Sequence, residues 1–168
     1  MRSPMAVSRL ALVGLLLAAC TDRVDFTQPS FNVAWGPETP NFNLEVVLRG
    51  AESGFGLVKF RQPNDADKIV YLDTWVRELA PNTSYRLQRA VDTNLDGECT
   101  STAWLTLGKG LTPEAIVTDD RGTGRAELFR NVAAFPVGSQ FDIHFRVIED
   151  ATSAVVLESA CYQFTISL

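Results

Sequence analysis

The sequence predicts an all-β protein, an antiparallel Greek-key β-sandwich of about eight to ten strands that follows a signal peptide and an irregular linker. Three observations predict it. Short apolar runs alternate with polar residues at period two, most cleanly where Phe141, Ile143, Phe145 and Val147 alternate with Asp142, His144 and Arg146. Clusters of Gly, Pro, Asn and Asp separate these runs. No stretch beyond the first nineteen residues carries convincing amphipathic-helix spacing.

In chain order, residues 1–19 carry Arg2 and Arg9, an apolar run from Leu10 to Leu17 and then small residues, the layout of a secretory signal. The run is too short for a permanent membrane span. Leu17-Ala18-Ala19-Cys20 resembles a bacterial lipobox. The resemblance implies a diacylglyceryl group on the Cys20 thiol, cleavage before Cys20 and acylation of the new amine, palmitate being a typical chain. Several acyl chains anchor a protein far better than one. Thr21, not Asp, follows the cysteine, which by the same resemblance leans towards the outer membrane over the inner. Residues 20–42 are rich in Pro, Asn and Thr and read as a linker, with Phe31, Val33 and Trp35 alternating inside it.

The domain is expected at 43–168. Leu44, Val46 and Leu48 open it, then Val58 and Phe60. Ile69 to Val76 is apolar on both faces and reads as a central strand. Leu79-x-Pro81-x-Thr83-x-Tyr85 resembles the tyrosine corner of fibronectin type III and related immunoglobulin-like sandwich domains. The resemblance implies that Leu79, Pro81 and Tyr85 form a structural corner, with the tyrosine hydroxyl bonded to backbone just upstream. In the strand that follows, Tyr85, Leu87 and Val91 share a face, with Arg89 the exception.

Further strands are expected at Ala103 to Leu107, Ile116 to Thr118, around Ala126 and Leu128, at Phe141 to Val147, and from Val155 to Ile166 with a break near Ser159-Ala160. Thr112-Pro113-Glu114-Ala115 has the residues to cap a single helical turn. Gly-rich hairpins, a Leu-x-Pro corner and a late cysteine together resemble Greek-key sandwiches of the copper/zinc superoxide dismutase and chordin-domain type. One histidine cannot build the multi-histidine metal sites of the former.

Cys99 and Cys161 remain once Cys20 is assigned to lipid, and two cysteines in an exported chain are expected to form a disulfide. The formal charge is −5, and loss of Arg2 and Arg9 with the signal takes it to −7. That balance argues against nucleic acid as a partner and against a peripheral grip on anionic lipid. The expected partners are the bilayer, through acylated Cys20, and an unidentified protein or glycan.

The strongest candidate for site chemistry is Asp92-x-Asn94-x-Asp96-Gly97-Glu98. Its alternating oxygen side chains around a glycine match the opening of a calcium loop, with Asp92, Asn94, Asp96 and Glu98 as ligands. Loop position twelve is Ala103 in place of a bidentate acid, so a hairpin turn is the preferred reading and calcium the alternative. Asp119-Asp120-Arg121-Gly122 is a second acidic turn. Tyr71 and Trp75, with Asp73 between them, and Trp35, Trp104 and Tyr162 are candidates for an aromatic platform. His144 has no placed acid or nucleophile in sequence, and no nucleophile elbow, Ser-x-x-Lys or phosphate loop is present. The expected function is therefore a non-catalytic binding module for a protein, glycan or envelope partner, with a structural or assembly module of the envelope as the alternative and a calcium-stabilised adhesion-type domain after it.

Overall fold

The computed structural model describes residues 42–63 and 66–167. The expected signal peptide, Cys20, most of the expected linker and Trp35 lie outside the described residues. The strands are β1 (Phe42–Arg49), β2 (Phe55–Gln62), β3 (Ile69–Arg77), β4 (Ser84–Asp92), β5 (Leu105–Thr106), β6 (Gly108–Lys109), β7 (Thr112–Pro113), β8 (Ile116–Val117), β9 (Gly124–Asn131), β10 (Gln140–Glu149), β11 (Val155–Ser159) and β12 (Tyr162–Thr165). No helix occurs among the described residues, so the protein is all-β.

The period-two pattern explains which face each strand buries. On β2 and β3, Val58, Phe60, Val70, Leu72 and Val76 point inward and are fully or nearly fully buried. They meet Leu87 of β4, Leu128 of β9, Phe145 and Val147 of β10 and Leu157 of β11 in one core. Phe60 packs edge-on against Phe145 and Phe164, with ring centroids 6.3 and 4.6 Å away. Burying a side chain of this size is worth about 1.5–3 kcal/mol.

The strands are not hydrogen-bonded as two separate layers. One ladder runs β5–β4–β10–β11–β1–β2–β3–β9–β6–β7, with β12 also on β10 and β8 also on β4. Neighbours in sequence are thus separated in space where it matters: β3 pairs with β9, and β4 with β10, which is Greek-key ordering. Residues 105–118 nearly close the sheet into a barrel. β5 and β8 pair with β4, β6 pairs in parallel with β9, and an isolated bridge joins Thr118 to Gly124.

At the other seam β11 pairs with β1 only through Ser159 and Glu158, opposite Leu48 and Arg49. Beyond that point side chains replace the ladder. The Tyr162 hydroxyl accepts from the Val47 N–H (3.1 Å), and Ser159 Oγ accepts from the Phe145 N–H (2.9 Å). The break expected near Ser159-Ala160 is present; the chain keeps its direction along β10, and the inward-facing set of side chains switches phase. Leu157 faces the core before it, and Phe164 and Ile166 face the core after it.

Two local expectations differ. The strand expected over Ala103 to Leu107 shrinks to Leu105–Thr106, because Trp104 leaves the ladder to stack on a neighbouring strand. Thr112-Pro113 forms strand instead of helix. Gly108 lies so close to it that a Cβ there would sit 1.9 Å from the Thr112 carbonyl oxygen, and Gly110 turns the hairpin at φ +64°.

Candidate functional site

The Asp92–Glu98 candidates lie where β4 gives way to the loop 93–104. Asp92 accepts from the Thr100 and Ser101 N–H groups (3.2 and 3.1 Å) and from the Thr100 hydroxyl (3.2 Å). Asp96 accepts from the Glu98 N–H (2.9 Å) and from the Asn94 side-chain amide. Glu98 is exposed. The Asp92 and Asp96 carboxylates are turned to their own loop, Asp92 on residues 100–101 and Asp96 on Asn94 and Glu98. Among the described residues no group of three or more His, Cys, Asp or Glu is gathered for a metal.

The loop covers the outward face of β10. Asp142, on the polar side of that strand by alternation, is fully buried beneath it. Its carboxylate accepts from the Gly97 N–H (2.7 Å) and from Gln163 Nε2 (3.3 Å). His144 Nε2 donates to the Ser101 carbonyl oxygen (3.0 Å), and its ring stacks on Trp104 at 4.5 Å. The Arg146 guanidinium lies over the same Trp104 ring, 4.0 Å from its centre, and donates to Gln88 (2.8 Å). The Cys99–Cys161 disulfide, Cα to Cα 5.3 Å, fastens the loop to the chain just before β12, on the far side of β10 from β4. Alternation correctly placed His144 on the polar face, but the cover that half-buries it comes from another loop.

At the corner, the Tyr85 hydroxyl accepts from the Ala80 N–H (3.0 Å) and the Thr83 hydroxyl donates to the Pro81 carbonyl (2.9 Å). The second acidic turn packs on this corner. Leu79 donates its N–H to Gly122 O (3.2 Å) and Asn82 to Asp119 O (3.1 Å). Asp119 accepts from the N–H groups of Arg121 and Thr123, which hold its carboxyl below the usual range. Its carboxylate serves its own turn.

The aromatic candidates do not form one platform. Tyr71 and Trp75 share the outer face of β3, where Arg61 and Arg125 lie over their rings at 5.3 and 5.0 Å. Trp104 is on the outward side of β4 and β10, and Tyr162 sits at the β1 seam.

The feature with binding chemistry is one that motif reading missed. Inside the sheet, towards the end where β4 reaches Val91 and β9 reaches Arg130, is a cavity of about 170 Å³. Its wall is hydrocarbon, led by Phe60, Leu72, Ile143, Phe145 and Phe164, with two exceptions, Arg89 and Arg130. Both occupy inward-facing positions, Arg89 between Leu87 and Val91 and Arg130 after Leu128. Among the described residues no carboxylate lines the cavity. Arg130 Nη1 donates to the Gly110 carbonyl (3.2 Å). The Arg89 side chain makes no hydrogen bond or ion pair with another described residue. Burial, and then the neighbouring Arg130 charge, pull its guanidinium below its ordinary value, although it remains a cation at neutral pH. Phe135, 41% exposed, stands at the rim, edge-on to Phe141 at 5.3 Å.

The sequence signal for this site was Arg89 itself, the charged exception on an apolar face. Nothing local pointed to Arg130, which joins it only through the strand order. Compared with known proteins, the sequence matches no family model and no curated protein.

Proposed function

We propose that this chain is a lipid-anchored envelope protein, held in the outer membrane through acylated Cys20, and that its all-β domain is a non-catalytic binding module. The observation that carries the binding part is the cavity, an apolar space of about 170 Å³ in the core with a rim residue, Phe135, exposed to solvent. A closed core packs to near-crystalline density and leaves few voids larger than a water molecule. A space of this size matches the engineered cavities of about 150 Å³ that hold benzene. The ligand is therefore an envelope component, free or part of a larger partner, that places a small apolar group inside the sheet. A wall of hydrocarbon and guanidinium suits retention, not bond breaking. The anchoring part rests on Leu17-Ala18-Ala19-Cys20.

Two measurements test the two parts. Membrane fractionation of wild type and Cys20→Ala should find the wild type with membranes and the variant released; a wild type that stays in the soluble fraction ends the anchoring reading. An environment-sensitive apolar dye should bind wild type and lose binding in Val91→Phe, which fills the cavity from its half-buried wall. Dye binding that is absent from wild type, or unchanged in the variant, ends the cavity reading.

A further inference from the structure

We propose that the cavity selects a small amphipathic anion, an alkyl or aryl carboxylate whose apolar part enters the sheet while its carboxylate meets Arg89 and Arg130. The inference rests on the reading of the cavity as the ligand site and adds the chemical class of the ligand.

Three observations point to a carboxylate. First, the two polar groups in the wall have the same sign, and among the described residues no acid lines the cavity with them. Like charges gathered in a partly desolvated place repel, and protein pairs of this kind are ordinarily balanced by a carboxylate. Here none of the described residues supplies one. Second, the donors are available. Arg130 uses Nη1 on Gly110, and Arg89 has no hydrogen-bond or ion-pair partner among the described residues. A guanidinium presents five N–H donors in a fork that matches a carboxylate. Third, the volume limits the apolar part. At about 170 Å³ the space suits one aromatic ring or a short acyl chain, and a long chain would have to extend past Phe135.

The competing account is that the two arginines lay their stems on the apolar wall and keep their heads in water, with no anion involved. The two accounts differ in what they predict for isosteric ligands. In the binding account the anion gains charge-assisted hydrogen bonds that a neutral head group cannot make in full.

The test is calorimetric titration of residues 21–168, the expected mature chain without Cys20, which retains every residue of the described fold and is handled without detergent. The probes are octanoate, octan-1-ol and octyltrimethylammonium. Octanoate should bind at least about tenfold more tightly than octan-1-ol, with the cation weakest. In the double variant Arg89→Met with Arg130→Met that preference should vanish while octan-1-ol binding persists. Equal binding of octanoate and octan-1-ol to wild type overturns the anion inference and leaves the cavity reading standing. So does a preference that survives in the double variant. No binding of any probe overturns both. The comparison of the three probes on wild type decides the matter even if the double variant fails to fold, which a thermal melt reports.

Discussion

Gly122 shows how little tolerance a single residue has where the second acidic turn meets the tyrosine corner. Its φ is +73°, and a Cβ would lie 2.1 Å from the Leu79 carbonyl oxygen. Both the left-handed backbone and the clash with backbone oppose any side chain. Gly122→Ala should cost about 2–4 kcal/mol, read from chemical denaturation with an unchanged slope. Tyr85→Phe is milder. It removes the acceptor of the Ala80 N–H and keeps the buried ring, so a loss of about 1 kcal/mol is expected in a thermal melt. Asp150 gives a pH signature. Its carboxylate takes a bidentate grip from Arg86 Nε and Nη2, both 2.9 Å, and Arg86 holds its carboxyl below the ordinary 3.8. A carboxylate lowered in the folded state binds protons more readily when unfolded, so its stabilisation is complete above 3.8 and is lost as pH falls from there through the lower folded value. Asp150→Asn should flatten that acid limb of the stability curve and leave its slope above pH 5 unchanged, with about pH 5 as the upper edge of carboxylate titration. At this scale the sequence exposed Tyr85, whose spacing from Leu79 and Pro81 is local. It did not expose Asp142, whose burial is imposed by a loop arriving over it.

Among the elements, the loop 93–104 has no regular structure and is nonetheless constrained. It leaves β4, crosses the outward face of β10 and is tied by Cys99 to Cys161 beside β12. The tie closes a span of 62 residues, for which the chain-entropy account allows about 4 kcal/mol. Cys99→Ser with Cys161→Ser should therefore lower stability by about 2–4 kcal/mol. It should also increase proteolysis within 93–104 ahead of any other described segment. Cleavage elsewhere first would mean that the disulfide does not hold this cover. Long strands were legible because alternation is a property of contiguous residues, as in β10. The phase switch across Ala160 and Cys161 was legible as well, since Tyr162, Phe164 and Ile166 fall out of phase with Leu157. The two-residue strands were not. β5 to β8 are defined by what they pair with, and a pair of residues carries no period.

For the molecule as a whole, strand identity could be read and strand order could not. Alternation says that a residue faces inward and is silent on which neighbour it meets, so the near-closed ladder, and with it the meeting of Arg89 with Arg130, depends on contacts remote in sequence. The same remoteness governs how the chain comes to its native state. The buried Gln62 amide exchanges two hydrogen bonds with Ser167, donating to its carbonyl at 2.9 Å and accepting from its N–H at 3.1 Å, across 105 residues. β1 likewise finds β11 only near the end of the chain. Loop closure over such distances comes before any contact can reward it, and folding dominated by such pairings takes on the order of milliseconds to seconds. A ribosome that has released only the first half of this chain has released β1, β2 and β3, which pair with one another, without the β11 and β9 that complete their outer edges. Until β9, β10 and β11 follow, β3, β4 and β1 each keep an open edge, so the complete ladder forms only after the last strands have been delivered.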